Sequence, residues 1–204
     1  MGKIKLAIIY YSSTGTNYRL ARWAEEGARE AGADVRVLRV QELASQEAID
    51  SNPAWRQHFD ATKDVPIASN DDLEWADAYI FSTPTRYGNV SSQMKQFIDG
   101  TGGVWSQGKL ANKVVSAMAS AGNAYGGQVP TIKSLYTTMM HWGAIIASPG
   151  YTDKSVYIAG GNPYGVSVTV DQDGNIMEDA QEAVKHQARR TVSVAKWIKE
   201  GMRS

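Results

Sequence analysis

The sequence contains no cysteine. That absence removes disulfides, thiolate nucleophiles and cysteine-ligated metal or iron–sulfur centres, and it suits a reducing compartment. Histidine is scarce: His58, His141 and His186 stand far apart with no ligand spacing, so no metal site is expected. Neither sign of charge dominates, because 21 Lys+Arg face 21 Asp+Glu. No global field gathers nucleic acid or an anionic membrane surface. No apolar run approaches the ~18 residues needed to cross a bilayer. The patch in the opening "MGKIKLAIIYYSS" is also too short for a signal peptide. Leu6 breaks the myristoylation pattern, and "NVS" at 89–91 is a chance match to a glycosylation acceptor in what reads as a cytoplasmic chain. Linkers, low-complexity tracts and internal repeats are missing too. A single domain over 1–204 is expected, and 43% hydrophobic residues suffice for a substantial core.

What the chain does have is alternation. "KIKLAIIY" (3–10) is a β-branched-rich run suited to a strand buried on both faces. A helix is expected over 17–31, where Leu20, Ala24, Ala28 and Ala31 share a stripe and Gly32 marks the stop. "DVRVLRV" (34–40) reads as a second strand, "QELASQEAID" (41–50) as a short helix, and 51–70 as an irregular excursion. "DDLEWADA" (71–78) has acidic residues at a helix start, where the dipole favours them. "AYIFST" (78–83), "KVVSAMAS" (113–120) and "GAIIAS" (143–148) follow as strands, separated by helices over 91–99 and 129–141. The stretch 149–177 is punctuated by Gly and Pro and reads as more loop than element; a last helix covers 178–200. Strands alternating with helices imply right-handed βαβ units, hence an α/β three-layer sandwich around a five-stranded parallel sheet.

Ligands bind such sheets outside the carboxyl ends of the strands, where the strand order reverses. Three segments should fall there: "SSTGTN" (12–17), "TPTRYGN" (83–89) and "SAGNAYGGQ" (120–128), each rich in Gly, hydroxyls or amides. The first sets donors at a helix N-terminus, a ready anion site. Taken alone it reads equally as a polar turn capping the helix. Absences narrow the anion. No lysine occurs from Leu6 to Thr62, against a nucleoside-triphosphate P-loop, and Gly15 alone cannot make a dinucleotide fingerprint. Tyr10 and Tyr11 stand where a phosphate-acceptor domain carries acidic residues, and the small tyrosine phosphatases need a cysteine. A single phosphomonoester held by neutral donors fits.

Those residues carry a resemblance. "SSTGTN" resembles the phosphate loop of the flavodoxin-like FMN proteins. "TPTRYGNVSSQMKQFID", "GTGGVW" and "GGNPYG" are similar to the WrbA-type NAD(P)H:quinone oxidoreductases among them. The likeness runs from residue 3 to about 166. It implies a flavodoxin-like sheet of order 2-1-3-4-5, FMN as cofactor, NAD(P)H as co-substrate and a homotetramer reducing quinones by two electrons in ping-pong fashion. By the resemblance, Ser12, Ser13, Thr14, Gly15, Thr16 and Asn17 grip the phosphate. Pro84, Thr85, Arg86, Tyr87, Gly88 and Asn89 lie along the flavin ring. Ser120, Ala121, Gly122, Asn123, Ala124, Tyr125 and Gly126 edge the ring and ribityl chain. Trp105, read as loop-borne, walls the substrate pocket, and His141 reaches a flavin from a neighbouring subunit, where it can assist a proton transfer. Two positions depart from the family pattern: Thr14 replaces an aromatic that meets nicotinamide, and "SAGNAYGG" replaces a Ser/Thr/Gly run. The rival functions are a one-electron flavodoxin carrier and a non-catalytic module on the same scaffold. Carriers usually dock through a strongly charged face, which a balanced composition does not show.

Overall fold

A computed structural model describes residues 2–202. The chain opens with β1 (Lys5–Tyr10), α1 (Thr16–Glu30) and β2 (Asp34–Arg39), followed by three helices, α2 (Gln46–Asp50), α3 (Pro53–Ala61) and α4 (Asn70–Trp75). Next come β3 (Ala78–Pro84), α5 (Ser92–Asp99), α6 (Gly102–Ser106), β4 (Val114–Ala121) and α7 (Gln128–His141). The last elements are β5 (Ile145–Ile146), α8 (Lys154–Ile158), β6 (Ser167–Thr169) and α9 (Gln181–Gly201). The strands form one parallel sheet of order β2-β1-β3-β4-β5, with β6 also paired to β4. Among the described residues no helix is long and apolar enough to cross a membrane.

Alternation along β1 divides the core in two. Leu6, Ile8 and Tyr10 face α1 and α9, where they meet Leu20, Ala24, Val184 and Ala188. Ala7, Ile9 and Tyr11 face the other layer, with Met94 and Ile98 of α5 and Ile132, Leu135 and Met139 of α7. Every residue of β3 and β4 is buried, as expected for central strands covered on both sides. Each fully buried Leu or Ile side chain stabilises by roughly 1.5–3 kcal/mol relative to exposure.

The structure departs from the sequence reading in three places. The excursion at 51–70 contains the nine-residue α3. Asn52 caps it, accepting from the N–H groups of Ala54 and Trp55, and Pro53 occupies the first turn, where its missing N–H costs nothing. Trp105 sits on the short helix α6 rather than on a loop. The fifth strand, expected over 143–148, is two residues long and pairs only with Val114 and Val115. The chain then leaves the sheet at Pro149 and returns as β6, which takes the vacated edge beside Ala119, Ser120 and Ala121. The segment read as loop therefore supplies α8 and the sixth strand. Gly165 makes the return possible: a Cβ there would lie 2.0 Å from the Ala117 carbonyl oxygen.

Candidate functional site

The three expected segments do converge, at the carboxyl edge where β1 leads outward to β2 while β3 pairs on its other side. They enclose an open cleft of about 150 Å³. Ser12, Ser13, Thr14, Thr16 and Asn17 line it from the first loop, Pro84, Thr85 and Arg86 from the second, and Ser120, Ala121 and Gly122 from the third. Val170, just past β6, closes it on the remaining side.

The first loop is a turn built to leave donors free. Ser12 Oγ accepts from the Gly15 N–H at 3.0 Å, and Gly15 takes the left-handed conformation at the start of α1. The Arg19 N–H bonds Gly15 O at 2.9 Å, so the N–H groups of Thr16, Asn17 and Tyr18 have no carbonyl within the helix. No side chain caps α1 despite the surrounding hydroxyls. Asn17 has a different task from its neighbours. Its buried amide donates to Ser120 Oγ at 2.7 Å and accepts from Ser82 Oγ at 3.0 Å, tying the loop to β3 and β4. Its backbone N–H, without a carbonyl partner in the helix, is left for a ligand.

The second loop is a tight reversal. Arg86 and Asn89 exchange backbone hydrogen bonds at 2.8 and 3.0 Å, with Tyr87 and Gly88 at the tip. Tyr87 adopts φ +53° with its side chain fully exposed. A non-glycine residue there costs about 1–2 kcal/mol. The Arg86 side chain is exposed and donates to the Thr85 carbonyl at 3.1 Å. Thr85 Oγ1 accepts from the Gly88 N–H and from Thr131 Oγ1 of α7. The third loop packs directly on this one. Gly127 has φ +99°, and a Cβ on it would lie 2.7 Å from Gly88 Cα. Asn123 folds its own turn, Oδ1 accepting from the Tyr125 N–H and its carbonyl from Gln128 Nε2. Gly122, Asn123, Ala124 and Tyr125 remain exposed, and Gly126 packs against Ala121.

Trp105 and His141 are together but elsewhere. The indole N–H of Trp105 donates to the His141 carbonyl at 2.9 Å, and both side chains are exposed. His141 closes α7, whose 14 residues run ~20 Å from the third loop at 1.5 Å per residue. Neither residue lines the cleft of its own chain.

A family model described as NADPH-dependent FMN reductase matches residues 4–154. The chain belongs to that family. It is 53% identical over 191 residues to a Deinococcus radiodurans protein named NAD(P)H dehydrogenase (quinone), covering 94% of this chain and 95% of that one. A protein of the same name from Aromatoleum aromaticum is 38% identical over 205 residues, covering 97% and 99%. Among solved structures, a flavodoxin, WrbA-like protein from Agrobacterium tumefaciens superposes with a TM-score of 0.60 at 19% identity, covering 97% and 99%. At that identity it speaks for the flavodoxin-like fold alone.

Three participants escaped the sequence reading. Val170 lies in what read as loop and lines the cleft only because β6 joins the sheet. Glu42 follows β2 as a lone carboxylate with no motif around it. Its oxygens accept from Tyr11 Oη at 3.0 Å, Gln93 Nε2 at 2.8 Å and Trp55 Nε1 at 3.3 Å, and from the N–H groups of Leu43 and Ala44. Burial works against its charge, but these bonds outweigh it and hold the carboxyl below the ordinary value. Glu42 thus joins β1, α3 and α5 behind the first loop. His58 of α3 reaches the underside of that loop at Gly15.

Proposed function

We propose that this chain is an FMN-dependent NAD(P)H:quinone oxidoreductase that reduces quinones by two electrons. The observation that carries the reading is the uncapped N-terminus of α1. It is ringed by the hydroxyls of Ser12, Ser13, Thr14 and Thr16 and opens on a cleft walled by the other two loops. Free N–H groups and hydroxyls suit a phosphate monoester, and the helix dipole favours its negative charge. Bound there, FMN supplies the redox chemistry between NAD(P)H and quinone. The chain supplies the rest. The first loop holds the phosphate, Asn17 keeps that loop in register with Ser120, and the 84–89 reversal offers a rigid crest for the ring. The exposed rings of Tyr87 and Tyr125, on the second and third loops, are available to a flat substrate. The names of the two relatives support the same activity.

Trp105 and His141 belong in this reading as a pair contributed by a neighbouring subunit, with His141 placed to move a proton at the quinone oxygen. Both are exposed at the far end of α7, beside the exposed Met140, as surfaces that a second copy covers would be. The assembly is a homotetramer of single-domain chains acting in the cytoplasm on small nicotinamide and quinone molecules. The test is rapid mixing of the FMN-loaded protein with NADH or NADPH, then with benzoquinone. Bleaching of the flavin colour by the first and its return with the second is the expected result. A protein that binds FMN but needs a separate reductase is a carrier instead, and one that takes up no FMN is neither.

A further inference from the structure

His58 lies where the first loop has no side chain of its own. A Cβ on Gly15 would stand 3.5 Å from His58 Nδ1, so the imidazole edge faces the turn that presents the start of α1. The ring packs against Tyr18 at 5.7 Å between centroids. With Tyr10 and Ser12 it lines a cavity of about 30 Å³. Thr62 uses the His58 backbone carbonyl, but among the described residues neither ring nitrogen has a hydrogen-bond partner. The buried Tyr10 hydroxyl, in the same cavity, has none either. A buried hydroxyl without a partner and a half-buried imidazole thus line one cavity beside the anion loop.

We propose that His58 is the conditional counter-charge of that loop: it takes up a proton when the cofactor phosphate seats at 12–17, so that cofactor uptake and proton uptake are coupled across Gly15. This rests on FMN being the ligand. A phosphate monoester brings close to two negative charges near neutral pH, with its second proton lost near ~6. No lysine occurs from Leu6 to Thr62, and the charged side chain that lines the cleft, Arg86, stands on the second loop with an exposed guanidinium. The other ionisable groups around the imidazole are already engaged. On α1, Tyr18 packs tilted against the ring and Arg22 pairs with Glu25. From β1, Tyr10 is kept protonated by its burial. On β2, Arg39 donates to the carbonyls of Val65 and Lys63. Glu42 is saturated by Tyr11, Gln93 and Trp55, and on α3 itself Asp60 pairs with Arg56. None of these is a cause of its shift: burial alone lowers the proton affinity of His58 and favours the neutral ring. A dianion across one glycine favours the imidazolium.

The sign follows from linkage. A group whose proton affinity rises on binding tightens that binding as pH falls through its bound-state value, and the gain stops below its free-state value. The phosphate's own proton acts oppositely, so the histidine itself is the readout. With three histidines in the chain, the imidazole proton resonances can be followed against pH in flavin-free, riboflavin-treated and FMN-treated protein, with His58→Gln assigning the signal. FMN should raise the His58 titration midpoint by one pH unit or more, and riboflavin, which lacks the phosphate, should leave it in place. Between pH 8 and 6 the wild type should gain about tenfold in FMN affinity over His58→Gln, with His58→Asn as the second variant should Gln not fit. A midpoint that FMN does not move, or that riboflavin moves equally, overturns the proposal, as do parallel affinity profiles. Failure of both proteins to take up FMN appears first in the binding titration and overturns the cofactor reading beneath it.

Discussion

Asn17 shows how a hydrogen-bonding side chain in a binding loop can serve the loop rather than the ligand. Its amide joins Ser82 and Ser120 in the buried floor of the cleft. Asn17→Ala strands two hydroxyls and removes the strut. It should cost about 1–3 kcal/mol in urea denaturation and weaken FMN binding by loosening the loop. Glu42 makes a pH prediction of definite sign. Its carboxyl titrates lower folded than unfolded, so its stabilisation is complete above the ordinary value of ~4.3 and is lost as pH falls through the lower folded value. Glu42→Gln should flatten that acid limb in denaturation measured between pH 6 and 3. A limb unchanged by the substitution would show that Glu42 is not its source.

The split of the edge strand is the feature with most consequence among the elements. β5 covers only the start of β4, and β6 covers its end, where the third loop begins. Val168 of β6 lies opposite Ser120, the residue that Asn17 grips. Gly165→Ala drives a methyl into the Ala117 carbonyl at 2.0 Å, so β6 must shift away from β4. Hydrogen exchange at Ala119 and Val170, whose N–H groups bond Val166 O and Ala121 O, should then quicken, with FMN affinity falling alongside. Exchange that stays protected in Gly165→Ala would mean that the edge tolerates the displacement. The two backbone interruptions at Pro149 and Pro163 bracket the detour, and proline is where a chain most cheaply leaves a ladder.

For the molecule as a whole, the cleft and the Trp105–His141 pair lie at opposite ends of α7. Subunit complementation tests the shared site. Gly127→Ala, which sets a methyl 2.7 Å from Gly88 Cα, should cripple the cleft of its own chain, and His141→Ala should remove the donated residue. Mixed oligomers of the two should recover quinone reductase activity above the sum of the separate variants. No recovery on mixing would place the whole site within one chain.

Much of this was legible along the chain. Short continuous apolar runs mark β1, β3 and β4, and apolar stripes mark helices such as α1 and α9, because both are patterns within a few neighbouring residues. The chemistry of the three loops was legible for the same reason: glycines, hydroxyls and amides act within a few residues of themselves. The tertiary structure alone decided which of those groups stay free. Asn17 meets partners 65 and 103 positions away, β6 enters a place the sequence pattern assigned to β5, and α3 carries His58 under Gly15. Those pairings depend on strand order and on the backbone's route between strands, and no local period records either one.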